Sequence, residues 1–209
     1  VKIELNEKNN LFYSFTMRLS FIILKLFYKF SIFGKENIPK TGPVIFASNH
    51  TSNIDPFVVG AVLYPRKVHS MAKEELFQVP LLGFFIKKLG AFPVRRGKYD
   101  RQAFKNSLEI LSKGQVLALF PEGTRNRLGD GKLGSLHKGT ATIAIKSGVS
   151  IVPVGIRGTE KIFSKGKLIP RFPKIKVKVG EPLLLIDDKV KLTEKIAEAI
   201  TSILGEIQE

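Results

Sequence analysis

Val44-Ile45-Phe46-Ala47-Ser48-Asn49-His50-Thr51-Ser52-Asn53-Ile54-Asp55-Pro56 runs from apolar to polar and stops at a proline. The run Val44–Ala47, bounded upstream by Gly42-Pro43, has the length and β-branched character of a buried strand, predicted over 43–47. Asp55-Pro56 has the form of a helix N-cap followed by the first helical position, which predicts a helix over 56–63. Between strand and helix lie His50 and, five positions on, Asp55. On one continuous helix such positions point about 140° apart, so imidazole and carboxylate meet only if a turn separates them. A base with a carboxylate to orient it is the minimal equipment for taking a proton from a hydroxyl. The simpler reading makes Asp55 a cap and His50 a packed side chain at a strand end. A carboxylate has lone pairs enough for both roles.

Working outward, strands alternate with helices. Strands are predicted over 43–47, 67–71, 91–95, 115–120, 150–156 and 174–179, and helices over 56–63, 74–88, 99–112, 136–147 and 191–205. Leu192, Ile196, Ile200, Ile203 and Leu204 give the last helix its apolar face. This alternation predicts an α/β fold: a layered, mixed, largely parallel sheet flanked by helices. Residues 174–179 alternate strictly between Lys and Ile or Val, so a cationic face backs a core face, either solvated or resting on anionic lipid. The stretch 157–173 reads as a long basic loop.

The first residues differ in kind. Residues 10–33 are apolar and aromatic nearly all round, and Arg18, Lys25 and Lys29 form a narrow seam when wound as a helix. Three cations are too many for a spanning helix, and no small-residue cleavage site follows a short apolar core. The segment suits a helix lying in a membrane interface with its lysines reaching the headgroups, or an amphipathic helix packed on its own domain. We therefore divide the chain into a membrane-interface helical segment, 1–36, and an α/β domain, 37–209.

At 209 residues the chain can bury a sizeable core. Its net charge of +16 calls for an anionic partner: nucleic acid, an anionic membrane surface or a phosphorylated substrate. The absence of cysteine excludes a disulfide framework, a thiolate nucleophile and a Cys-based metal site. His50, His69 and His137 are scattered without metal-ligand spacing, so no metal and no bound cofactor is expected.

Two further strand ends carry chemistry. Gln115–Phe120 breaks at Pro121-Glu122-Gly123-Thr124-Arg125. Ligands of open α/β sheets bind at the carboxyl ends of strands, which places Arg125 as a fork for phosphate and Gly123 where backbone must come close. Glu122 repels phosphate and is assigned to a substrate hydroxyl or to holding Arg125. Gly90-Ala91-Phe92-Pro93-Val94-Arg95-Arg96-Gly97 is another short strand ending in guanidinium groups. Lys73 is a further phosphate contact or an exposed lysine at a helix start. Phe84-Phe85-Ile86 either lines an apolar ligand channel or belongs to the core. Gly129-Asp-Gly131-Lys-Leu-Gly134 has dinucleotide-binding spacing but follows a polar loop rather than a strand.

Asn49-His50-x4-Asp55, Gly90-x-Phe92-x3-Arg96, Phe120-Pro-Glu-Gly-Thr-Arg125 and Ile151-Val-Pro-Val-Gly155, in that order, resemble the four motifs of the glycerolipid acyltransferases. The bacterial 1-acylglycerol-3-phosphate acyltransferases are the most similar group. The resemblance spans about residues 38–180 and includes Lys138-Gly139-Thr140. It implies that His50 is a general base oriented by Asp55, and that Arg96 and Arg125 bind the acceptor phosphate in a site shaped by Glu122, Gly123 and Thr124. Pro153 would lie on the acyl-donor side. The implied reaction moves a fatty acyl group from a thioester to the sn-2 hydroxyl of 1-acylglycerol 3-phosphate. Acyl-coenzyme A or acyl carrier protein would bring the donor, and the enzyme would sit peripherally or monotopically on the cytoplasmic face of the cell membrane. With no cysteine and no G-x-S-x-G elbow, direct attack by the hydroxyl fits better than a covalent route. Glycerol 3-phosphate or another lysophospholipid is the alternative acceptor. A basic nucleic-acid-binding protein is the rival class, although no recognition module supports it.

Overall fold

Every residue of the run Val44–Ser48 is buried, because this strand lies between two parallel neighbours and under helices on both faces. The computed structural model describes residues 11–97, 99–126, 132–163 and 170–208. In chain order the elements are α1 (Leu11–Phe27), β1 (Ser31–Phe33), β2 (Val44–Ser48), α2 (Asp55–Leu63), β3 (Val68–Lys73), α3 (Pro80–Lys88), β4 (Ala91–Val94), α4 (Arg101–Ser112), β5 (Val116–Leu119), α5 (Gly139–Ser147), β6 (Ile151–Arg157), β7 (Lys176–Val179) and α6 (Lys189–Glu206). Among the described residues the strands form one seven-stranded sheet in the order β1-β7-β6-β2-β5-β3-β4. All its neighbours run parallel except β6 and β7.

The period of two along a strand sorts its side chains between two cores. Val44 and Phe46 of β2 pack with Leu24 of α1 and Val58, Val59 and Val62 of α2. Ile45 and Ala47 pack on the other face with α4, α5 and α6, through Ile110, Ala144 and Ile196 among others. The layered α/β architecture expected from the alternation of elements is the one found. Asp100 and Asp188 cap α4 and α6 by accepting from backbone N–H groups two and three residues on.

Three expectations need correction. The helix predicted over 10–33 ends at Phe27, where Lys29 takes a left-handed backbone (φ 44) and the chain turns into edge strand β1. Pairing of Ser31–Phe33 with β7 outweighs the helical pattern there. The helix predicted over 74–88 divides into a 3-10 turn, Glu74–Phe77, and α3, because Pro80 forces Val79 out of the α region. The lysine face of the 174–179 strand is also not simply solvated. Lys178 pairs with Glu206, and Lys176 donates to the Gln208 carbonyl (2.8 Å), both at the carboxyl end of α6, where cations are favoured.

One side of α1 is docked. Tyr13, Met17 and Leu24 are buried, and Met17 lies where a Cβ on Gly60 of α2 would stand only 2.5 Å from its sulfur. The Tyr13 hydroxyl accepts from Val68 N–H (3.0 Å) and donates to the Arg66 carbonyl (3.4 Å), pinning the helix to the start of β3. The opposite side keeps Leu11, Phe15, Ile22 and Leu26 in solvent, the first at 80% exposure. Among the described residues no helix is long and apolar enough to cross a membrane.

Burial pushes the Tyr13 hydroxyl up to about 12, with the Val68 N–H opposing the shift. A raised pKa means stability that is complete below pH 10 and is lost as pH rises through 12. At about 1.36 kcal/mol per pH unit this amounts to roughly 2–3 kcal/mol. Urea midpoints should therefore fall more steeply between pH 9 and pH 12 in the wild type than in Tyr13→Phe, and equal slopes would contradict this docking.

Candidate active site

Because β2, β3, β4, β5 and β6 are parallel, their carboxyl ends share one edge of the sheet. The polar turns after β2 and β5 meet there. A single carboxylate oxygen organises the first turn. Asp55 Oδ2 accepts from the backbone N–H groups of Thr51 and Ser52, at 2.7 Å each, and lies 2.9 Å from His50 Nδ1. Asp55 is fully buried and is the first residue of α2, with Ile54 at the cap position. The N-cap expectation is thus corrected by one residue. The carboxylate folds back onto the turn before the helix instead of forward onto helical N–H groups. An ionised oxygen that already accepts two N–H donors takes the imidazole as a third donor. Nδ1 therefore carries its proton and Nε2 keeps its lone pair.

The imidazole is fixed from three more directions. Its ring stacks on Phe120 with centroids 4.2 Å apart. The His50 N–H donates to Glu122 Oε1 (2.7 Å), and the His50 carbonyl accepts from Asn126 N–H (2.8 Å). Just before it, the fully buried Asn49 clamps β6: its amide donates to the Ile156 carbonyl (2.9 Å), and its carbonyl accepts from Ile156 N–H (2.8 Å). The Asn49 side chain thereby continues the β2–β6 ladder past its last backbone pair, Ser48 with Val154, while the main chain turns away.

The sequence points Glu122 at a substrate hydroxyl or at Arg125, and in the structure its oxygens take backbone N–H groups. Oε1 takes the His50 N–H and Oε2 the Gly134 N–H (2.9 Å). Burial raises the Glu122 pKa, opposed by these two N–H groups. A Cβ on Gly134 would lie 2.6 Å from Oε2, so only glycine fits there. Gly134 belongs to the G-x-G-x-x-G match, whose residues 129–131 lie outside the described chain. Gly123 has φ +66, and a Cβ there would meet the His137 ring at 2.8 Å, so the close approach expected at this glycine is made by a histidine.

A cavity of about 960 Å³ opens beside His50. Arg96, Gly123, Arg125 and Lys73 border it, as do Arg95 and His137. Arg96 and Thr124 are exposed, whereas Glu122 is buried in the wall. Lys73 pairs with Glu75 at 2.9 Å in solvent. Asp100 Oδ2 accepts from Arg95 N–H (2.8 Å), tying the arginine pair to the start of α4. Phe85, Ile86, Leu89 and Phe104 give it apolar walls as well. Phe85 and Ile86 thus line it, whereas Phe84 points outward. Sequence reasoning gave no role to Asn49, Asn126, Gly134 or His137. Their partners lie far along the chain or are backbone groups, and the motifs that contain Asn49 and Gly134 do not say what those residues bind.

Replacing Glu122 by Gln sets an amide NH2 against a backbone N–H donor. Glu122→Gln should lower the unfolding free energy by about 1–3 kcal/mol, the cost of an unsatisfied buried group, read as a shifted urea midpoint at unchanged slope.

The acyltransferase family model matches residues 29–157, which covers the whole site. The 1-acyl-sn-glycerol-3-phosphate acyltransferase of Bacillus subtilis is 33% identical over 171 residues, 82% of this chain and 82% of that protein. The enzyme of the same name from Borreliella burgdorferi is 31% identical over 199 residues, 90% of this chain and 76% of that protein. The crystal structure of the 1-acyl-sn-glycerophosphate acyltransferase of Thermotoga maritima superposes with a TM-score of 0.78 at 26% identity, over 98% of this chain and 85% of that one. With the motif residues gathered at one sheet edge and the matched region spanning them, the chain belongs to the acyltransferase family and is an O-acyltransferase.

Proposed function

We propose that the chain transfers a fatty acyl group from an acyl thioester to the sn-2 hydroxyl of 1-acylglycerol 3-phosphate, giving phosphatidic acid. The observation that carries this reading is the His50–Asp55 pair, 2.9 Å apart, beside a cavity whose lining combines Arg96 and Arg125 with apolar side chains. The names of the similar enzymes give the same acceptor. A phosphate suits the guanidinium groups, and a chain-bearing acceptor suits the apolar wall better than glycerol 3-phosphate does.

The acceptor hydroxyl gives its proton to His50 Nε2 as its oxygen attacks the thioester carbonyl carbon. The tetrahedral intermediate collapses by breaking the C–S bond, and the leaving thiolate takes the proton back from the imidazolium. Asp55 stabilises that imidazolium and holds the tautomer. Arg96 and Arg125 fix the phosphate, with Gly123 and Thr124 in the same loop and Lys73 at the border. Coenzyme A or acyl carrier protein carries the donor, and no cofactor is required. In this reading the enzyme sits peripherally on the cytoplasmic face of the membrane, and the exposed apolar side of α1, flanked by Arg18 and Lys25, supports attachment to a bilayer.

The test is turnover of lysophosphatidic acid with a long-chain acyl-coenzyme A. His50→Ala should lose about 10²–10⁴-fold in kcat, the usual contribution of a general base; near-wild-type turnover would remove His50 from this role. Arg125→Ala should instead raise KM for the acceptor by roughly 10–100-fold, the equivalent of one charge-assisted contact. An unchanged KM would place the phosphate elsewhere.

A further inference from the structure

The 3-10 turn Glu74–Phe77 and α3 carry a largely exposed apolar surface. Of the nine residues of α3 only Gly83 is buried. Leu81 is 86% and Phe84 62% exposed, and Val79 and Leu76 stand open beside them. Gly83 explains why the helix lies flat: a Cβ there would come within 2.5 Å of the Phe77 carbonyl oxygen, so α3 rests directly on the preceding turn. Cations are seated on this surface. Lys87 Nζ lies 5.9 Å from the centre of the Phe77 ring, and Lys88 Nζ 5.6 Å from that of Phe84.

The same element has an inner side. Leu76, Leu82, Phe85 and Ile86 line the cavity that reaches His50, so one thin wall separates the exposed patch from the site. Phe12 of α1 meets Phe85 edge-on at 5.4 Å, which joins the α3 surface to the start of α1. We infer that Leu76–Lys88 is a second membrane-docking element, which seats the cavity wall on an anionic bilayer alongside α1. This rests on the lipid acyltransferase reading of the site. The occupant follows from the pairing of an apolar patch with lysines held on its own aromatic rings, and from its continuity with an apolar cavity. Apolar side chains enter the acyl boundary while ammonium groups stay at headgroup level. A protein partner would leave that continuity without a use.

The experiment uses the full chain and sedimentation with phosphatidylcholine vesicles, plain or doped with phosphatidylglycerol. Leu81→Glu/Phe84→Glu changes two side chains that do not line the cavity. Its partition should fall at least about tenfold, the scale of keeping one large apolar side chain in water, with an unchanged circular dichroism spectrum. Lys87→Glu/Lys88→Glu should weaken the preference for doped vesicles while leaving the apolar face intact. Turnover of lysophosphatidic acid embedded in vesicles should drop with the first variant, and turnover of a short-chain, water-soluble acceptor should not. Undiminished partition of both variants overturns the proposal. So does a change from dimer to monomer with vesicle binding retained, which would assign the patch to a second copy of the chain. If the wild type binds vesicles through this patch yet transfers no acyl group, the docking element stands and the reading of the reaction falls.

Discussion

Three donors converge on one oxygen, Asp55 Oδ2, and the site depends on that convergence. Two of them, the Thr51 and Ser52 N–H groups, belong to a turn that would otherwise leave buried backbone donors unmatched. The third is the imidazole. One carboxylate therefore closes the strand-to-helix turn and orients the imidazole, and neither job can be removed without the other. This is why the segment reads equally well as architecture and as chemistry. The functional side chain is held by the same electrostatic term that makes the chain turn there.

Glu122 extends the logic across the sheet. β2 and β5 are hydrogen-bonded neighbours, but their backbone ladder ends at Ala47 and Leu119, short of either functional turn. Beyond it the carboxylate of one turn takes the N–H of the histidine in the other, and Asn126 returns a bond to the same histidine's carbonyl. The turn Pro121–Arg125 and the turn that carries His50 are thereby tied together. A buried carboxylate with a raised pKa is an expensive strap, tolerable only because both its oxygens are matched by backbone donors.

Much of this was legible in the chain. The parallel sheet, its two helical layers and the gathering of His50, Asp55, Arg96 and Arg125 at one edge follow from periodicities of two and 3.6 and from the polar breaks after apolar runs. What escaped is non-local. Ser31–Phe33 reads as helix because its apolar residues continue the pattern of α1, and only β7, more than a hundred residues later, makes it a strand. Asn49 has its partner at Ile156, and Gly134 is explained only by the Glu122 oxygen occupying the space of its missing side chain. A residue whose role is to match a distant backbone group carries no spacing signal.

The charge of the chain shows the same limit from another side. A net +16 is compatible with any polyanion, and composition alone leaves nucleic acid and lipid level. Position bears on the choice. Lys176 and Lys178 serve the carboxyl end of α6 and contribute nothing to a free basic face. Arg18, Lys25, Lys87 and Lys88 instead each lie within 6 Å of an aromatic ring centre, on Tyr64, Phe21, Phe77 and Phe84. These cations sit on or beside surfaces that expose Leu, Ile and Phe without covering them. Phosphodiester backbones ask for cations with polar neighbours and offer nothing to an exposed leucine. A bilayer surface offers headgroup charge and hydrocarbon within a few ångströms of each other, which is the combination these helices present.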